Sequence, residues 1–223
     1  MSNGRERAAN TLQVTEIFRS IQGESTWAGT PCVFVRLTGC NLRCAWCDTP
    51  YAYEDGREMT VEEVVAQVAA YSGDLVEITG GEPLLQAAAP ALAQPLLDAG
   101  RTVLCETNGT QPIDRMPSGV ITIMDIKCPS SGEFDRTDWD NVERLRAHDE
   151  VKFVVADRTD YDWARETVER HGLAGRCHAV LFAPAAGLMR PQTLSEWLLD
   201  DGLAVRLQLQ LHKVIWPGVK RGV

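Results

Sequence analysis

The chain has 223 residues, 44% of them hydrophobic and 24% charged, with a formal net charge of −9 at pH 7. That apolar share is the share of an ordinary globular protein, the length suits one sizeable core, and no apolar run approaches the roughly 20 residues of a transmembrane helix. The acidic balance, with no basic stripe to displace counterions, argues against a nucleic-acid partner.

The polar start, Met1-Ser2-Asn3-Gly4-Arg5-Glu6-Arg7, has no apolar leader, and residues 1–10 are expected to be a disordered lead. Seven cysteines are an odd number; with no export signal they point to reduced thiols in the cytoplasm rather than a disulfide framework. From residue 11 onward, strand-like apolar runs occur at Leu12–Ile17, Cys32–Leu37, Leu75–Ile78, Thr102–Cys105, Val120–Ile126, Val151–Val155, Ala179–Phe182 and Ala204–Leu209. Helical patterns lie between them. Thr60 and Glu63 form a capping box ahead of Val61, Val64, Val65 and Val68, which share one helical face. Leu84–Ala99 is a weaker helix that Pro90 and Pro95 should break, and Asp138–Ala147, Asp160–His171 and Thr193–Asp200 complete the set. Strands alternating with helices predict an α/β fold with a mainly parallel sheet, in one domain over residues 11–223.

Polar, glycine-bearing segments follow the strands: Thr38-Gly39-Cys40, Thr79-Gly80-Gly81-Glu82-Pro83, Glu106-Thr107-Asn108-Gly109 and Asp125-Ile126-Lys127. Parallel α/β folds bind ligands at the carboxyl ends of strands, so these segments should converge on one face. The densest chemistry is in Cys40, Cys44 and Cys47, spaced C-x3-C-x2-C with no fourth cysteine nearby. Three thiolates can hold three corners of a 4Fe-4S cluster and leave one iron open to a small molecule, whereas an electron carrier supplies a fourth cysteine. Zinc is the alternative on spacing alone, but a structural zinc site wants four ligands, and the next Cys or His is Cys105. Trp46 either shields the cluster or simply packs.

The remaining candidates each carry a plain structural alternative. The Gly80-Gly81 pair admits a ligand close to the main chain or makes a turn. Gln22 can donate and accept at once, which suits a heterocycle edge. Arg36 explains itself through a carboxylate ligand or through a pair with Glu24 or Glu16. Thr49 beside Asp48 can help hold a hard cation or can be a turn residue. Glu106 and Asn108 can hold a ribose or cap a strand end. His212, in an alternating strand-like run, faces a ligand or is structural. Cys32, Cys105, Cys128 and Cys177 read as small core residues, and the four histidines are too scattered to form a metal cluster.

The C-x3-C-x2-C loop, with an aromatic before its third cysteine, resembles that of the radical S-adenosylmethionine (AdoMet) enzymes, and Gly80-Gly81-Glu82-Pro83 is similar to their GGEP motif. Ser20-Ile21-Gln22-Gly23-Glu24, Val33-Phe34-Val35-Arg36-Leu37, Cys47-Asp48-Thr49, Glu106-Thr107-Asn108-Gly109, Asp125-Ile126-Lys127 and the closing Lys220-Arg221-Gly222-Val223 resemble the 7-carboxy-7-deazaguanine synthase family along nearly the whole chain. That resemblance implies a partial β/α barrel, usually a homodimer, converting 6-carboxy-5,6,7,8-tetrahydropterin to 7-carboxy-7-deazaguanine with loss of ammonia, on the route to queuosine. It implies a 4Fe-4S cluster on Cys40, Cys44 and Cys47, whose open iron takes AdoMet. Trp46, Cys47 and Asp48 would line AdoMet, with Gly81, Asp125, Ile126 and Lys127 adding contacts. Thr49 would contact Mg2+. Ile21, Gln22, Gly23, Arg36 and Thr79 would hold the pterin, Gln22 reading its edge and Arg36 its carboxylate, with His212 and the terminal carboxylate of Val223 added. An electron donor such as flavodoxin or ferredoxin is implied as well. Two departures stand out: Ser25 occupies a position where the family commonly has glycine, and Asp125 one where some members have serine. The rivals are a glycyl-radical activase acting on a protein, which should lack the Gln22 pocket and the Arg36 clamp, and a non-catalytic zinc or iron–sulfur module, which should bind no AdoMet.

Overall fold

A computed structural model describes residues 10–223. Its strands are β1 (Thr11–Ile21), β2 (Pro31–Leu37), β3 (Arg57–Thr60), β4 (Leu75–Gly80), β5 (Thr102–Thr107), β6 (Ile121–Ile126), β7 (Glu150–Val155), β8 (Ala179–Pro184) and β9 (Arg206–Leu207). They form one open sheet in the order β3-β1-β2-β4-β5-β6-β7-β8-β9. From β2 through β9 every pairing is parallel, while β1 runs antiparallel to both β2 and β3. The expected mainly parallel α/β architecture is therefore present, as a curved sheet that does not close.

The helices are α1 (Val61–Ala69), α2 (Ala89–Asp98), α3 (Asn141–Arg144), α4 (Arg158–His171), α5 (Pro191–Asp201) and α6 (Leu211–Ile215). The capping box at the start of α1 forms as read: the Glu63 amide donates to the Thr60 hydroxyl and the Thr60 amide to the Glu63 carboxylate. Asp157 caps α4, and Gly172, at φ +60°, ends it in the left-handed conformation.

Strand alternation decides what reaches the site. Val33, Val35 and Leu37 of β2, Val76 and Ile78 of β4, Val103 and Cys105 of β5, and Met124 and Ile126 of β6 face the helices in the large core. The intervening residues face the concave side. There Phe18, Cys32, Phe34, Leu75, Leu104 and Ile123 form a smaller apolar plug near the amino ends of the parallel strands, with the Phe18 and Phe34 rings stacked at 5.0 Å. Beyond the plug the same faces turn polar and present Arg36, Glu77, Thr79, Glu106, Asp125 and Lys152 to a cavity.

Several local expectations are corrected. Strand β3 was not legible, because Arg57-Glu58-Met59-Thr60 has one buried residue and pairs only as an edge on β1. The strand expected over Ala204–Leu209 shrinks to two exposed residues, and His212 lies on the short helix α6 rather than in a strand. Pro90 starts α2 instead of breaking it, at a position where its missing N–H costs nothing. The helix expected over Asp138–Ala147 contracts to the single turn α3. Of the lead expected over residues 1–10, residues 1–9 lie outside the described residues. Asn10 is joined to α1 through its carbonyl, which accepts from the Val61 amide, and its side chain, which donates to Glu62.

Candidate active site

The carboxyl ends of the parallel strands open into a cavity of about 1160 Å3. The three motif cysteines lie in the loop after β2 and all line it, and all seven cysteines are free thiols. Among the described residues no three Cys, His, Asp or Glu side chains converge as ligands of a single metal ion. Three thiols on one wall of a cavity can each take a separate iron of a 4Fe-4S cluster. The Leu42 amide and the Asn108 side-chain amide point at the Cys40 sulfur, at 3.4 and 3.8 Å, donors of the kind that tune a cluster's potential. Burial pushes the Cys44 thiol up to about 11, and the nearby Lys127 ammonium works against that rise.

The glycine motif lies directly against this loop. A Cβ on Gly81 would sit 2.2 Å from the Gly39 carbonyl oxygen and 2.8 Å from the Cys40 Cβ. Gly80, at φ +142°, would place a Cβ 2.1 Å from the Leu37 carbonyl oxygen. Gly81 is therefore needed to let the chain pass under the cysteine loop, and Gly80 to let it lie against the end of β2. Glu82 follows, fully buried, and its carboxylate accepts from the Leu84 and Asn108 amides and the Thr107 hydroxyl. It ties the end of β4 to the end of β5, so its role is to fix the floor of the loop.

On the side of the expected AdoMet contacts, Trp46, Asp48, Asp125 and Lys127 line the cavity with Cys47 and Gly81. Asp48 accepts from Lys213 at 2.9 Å, and Asp125 from Lys127 at 2.9 Å. The other oxygen of Asp125, Oδ1, is buried without a partner. Ile126 is the exception: its side chain is in the core on the helix side, so only its main chain can reach a cofactor. Thr49 lines the cavity at the start of a 3-10 turn (Pro50–Tyr53), its hydroxyl 3.9 Å from the Cys47 sulfur.

The expected substrate residues also share the cavity: Ile21, Gln22, Gly23, Arg36, Thr79 and His212, together with Val223. Arg36 donates through Nε to Glu16 at 2.8 Å, one of the two structural partners anticipated for it, and Tyr51 donates to the same carboxylate at 2.9 Å. Glu24, the other anticipated partner, is taken up elsewhere. Gln22 is more committed than a free edge reader would be. Its Nε2 donates to Glu77 and its Oε1 accepts from the Glu24 amide. His212 packs on Gly23, where an added Cβ would lie 2.3 Å from its Nδ1, and the Leu211 amide donates to the Gly23 carbonyl. That contact folds the C-terminal segment over the cavity.

Two charged groups escaped the sequence reading. Glu77 is 3% exposed, and burial, reinforced by Glu106 and Glu24, pushes its carboxyl up to about 8. Lys152, also 3% exposed, contacts Glu24, Glu106 and Asp125. A signal for both existed: each is a charge inside a mostly apolar strand, Glu77 in Leu75–Gly80 and Lys152, with Glu150, in Glu150–Val155. Such a residue needs partners.

The described geometry accords with what the chain is similar to. A model of the radical SAM superfamily matches residues 34–123, which span the cysteine loop and the glycine motif. A protein of Koribacter versatilis named 7-carboxy-7-deazaguanine synthase is 47% identical over 226 residues, covering 95% of this chain and all of that one. One of the same name from Chlorobaculum tepidum is 47% identical over 95% of this chain and 97% of its own length. One from Methanospirillum hungatei is 42% identical over 92% and 85%. Among solved structures, QueE from Escherichia coli superposes with a TM-score of 0.72 over 94% of this chain and 98% of that one, at 21% identity, a likeness of fold.

Proposed function

The chain belongs to the 7-carboxy-7-deazaguanine synthase family of radical SAM enzymes, and on that premise we propose that it converts 6-carboxy-5,6,7,8-tetrahydropterin to 7-carboxy-7-deazaguanine with loss of ammonia. It is a lyase whose cofactors are a 4Fe-4S cluster and AdoMet. When bound, these supply one-electron, hydrogen-abstracting chemistry; binding, orientation and electrostatics fall to the chain.

Cys40, Cys44 and Cys47 hold three irons. The Gly81 main chain, kept bare by its contact with Gly39, lets AdoMet approach, with Trp46, Asp48, Asp125, Lys127 and the main chain of Ile126 around it. Arg36 receives the substrate carboxylate: only its Nε is bonded to Glu16, so the two terminal nitrogens remain for bidentate pairing. Gln22, locked by Glu77 and the Glu24 amide, presents its remaining N–H to the ring, beside Ile21, Gly23, Thr79 and His212. The Val223 carboxylate closes the pocket, and Thr49 contacts Mg2+. Residues 11–223 act as one domain, in the cytoplasm, as a homodimer supplied by flavodoxin or ferredoxin. Among the described residues no helix is long and apolar enough to cross a membrane.

One observation carries the reading: three thiols, Gly81, Arg36 and Gln22 line the same cavity. A cavity that the C-terminal segment folds over suits a small molecule better than the protein substrate of an activase. The test is anaerobic: reconstitute the cluster, add reductant, AdoMet, Mg2+ and carboxytetrahydropterin, and follow the deazapurine chromophore. Cys44→Ala should abolish turnover while leaving the fold intact by circular dichroism. Methionine release without deazapurine would remove the specific reaction and keep the superfamily.

A further inference from the structure

Every residue of β7 is buried, and Lys152 lies in the middle of the strand. Its Nζ contacts Glu24 Oε2 at 2.7 Å, Asp125 Oδ2 at 3.2 Å, and the Glu106 carboxylate. These carboxylates come from three places: the turn after β1, β5 and β6. Burying an ammonium is costly unless such partners compensate it; three carboxylates match its three N–H donors but outnumber its single charge. One of the three, Glu106, also has capacity left toward the cavity. Glu106 accepts only a long 3.4 Å bond from the Thr79 hydroxyl at its other oxygen, and its side chain is 28% exposed. Asp125 Oδ1 is unpartnered but has no accessible surface, so it offers the cavity no acceptor. Glu24, in contrast, is filled by Gln208, Gln210 and Lys152, and anchors the lysine from the opposite side.

We propose that Lys152 is a positioning residue for the substrate ring, orienting Glu106 as an acceptor for the N–H groups of the reduced pterin. This rests on the reaction assigned above. The substrate suits such a wall. Its carboxylate end needs a cation, which Arg36 of β2 provides, and its tetrahydropyrazine and aminopyrimidine nitrogens carry donors that need acceptors. The cavity separates these functions, with three strands between Arg36 on β2 and Lys152 on β7.

The charged groups facing Lys152 are Glu24, Glu106 and Asp125, with Lys127 behind Asp125 and Glu77 and His212 bordering the group. Burial alone would raise the Glu24 carboxyl, yet the Lys152 ammonium brings it down to about 2. Asp125 is likewise held low against burial, by Lys127 and then Lys152. Removing the Lys152 charge takes from Glu24 the cation that holds its carboxyl down, so that carboxyl takes up a proton at higher pH. The acid limb of the pH–rate profile then moves to higher pH.

The experiment compares the reconstituted wild type with Lys152→Met and Lys152→Arg, reading kcat, KM for carboxytetrahydropterin, the pH profile, and uncoupled AdoMet cleavage without pterin. Lys152→Met should lower kcat/KM by about 100-fold, mainly through KM, and move the acid limb up by about one pH unit or more. Lys152→Arg should recover a large part of both. Lys152→Met/Glu24→Gln, which removes the buried charge on both sides, guards against a folding defect and should keep the raised KM. A wild-type KM and acid limb in either Met variant overturns the positioning role. A wild type that cleaves AdoMet but makes no deazapurine overturns the assigned reaction, and the proposal with it.

Discussion

Ser25 is the only non-glycine residue among those described with a positive φ, +63°, and it occupies the position where sequence resemblance leads one to expect glycine. An L-residue there costs roughly 1–2 kcal/mol. The serine offsets part of that cost, because its hydroxyl accepts from the Trp27 amide at 3.1 Å. Its own amide donates to Gln208 at 2.7 Å, fixing the turn that carries Gln22 and Glu24. Alanine would keep the strained φ and lose the hydroxyl, whereas glycine would lose the hydroxyl but relax the backbone. Ser25→Ala should therefore be less stable than Ser25→Gly by about 1 kcal/mol, a ranking that urea unfolding can read. The opposite order would mean that the turn is not strained.

The element that completes the cavity is the C-terminal segment from Gln208 to Val223, and it is held almost wholly by polar contacts. Gln208 and Gln210 donate to Glu24, Lys213 to Asp48, and Arg221 pairs with Asp55 while lying 4.3 Å over the Tyr51 ring. Tyr51 in turn donates to the Glu16 carboxylate that Arg36 uses. If Val223 closes the pocket, loosening this latch should act on substrate binding alone. Arg221→Ala is expected to raise KM for the pterin about two- to fivefold, as an exposed ion pair warrants, with uncoupled AdoMet cleavage unchanged. An unchanged KM would remove the tail from the site. This segment was also the least legible part of the chain. The alternation Gln208–Lys213 read as a strand, but only Arg206 and Leu207 pair with β8, and only through Leu181 and Phe182. The parallel strands were legible because each is an apolar run flanked by turn residues, and the cysteine and glycine motifs because their spacing is local. The Lys152 and Glu77 contacts were not. Their partners lie 27 to 128 positions away in sequence, and only sheet register brings them together.

At the scale of the molecule, the concave face of the sheet is apolar at the amino ends of its strands and charged at the carboxyl ends, and Glu77 sits where the two meet, beside Phe34 in the register. That placement makes stability depend on pH in opposite senses on the two sides of about pH 4.5. Glu24, held down to about 2 against a usual 4.5, stabilises the fold above pH 4.5 and loses that contribution as pH falls toward 2. Glu77, pushed up to about 8, is protonated in the fold at pH values where the unfolded chain has already released its proton. Its cost is absent below about pH 4.5, grows as pH rises through that window, and is complete above 8, reaching on the order of a few kcal/mol. Glu77→Gln mimics the protonated form and keeps an acceptor for Gln22. Urea unfolding of the two proteins should give nearly equal stabilities at pH 4.5 and a gap favouring the glutamine variant that widens steadily to pH 8. Parallel curves from pH 4.5 to 8 would show that Glu77 ionises normally in the fold. A lysine in β7 and an elevated carboxyl in β4 would then no longer belong to one electrostatic unit, and the cavity would be more acidic at neutral pH than its arrangement implies.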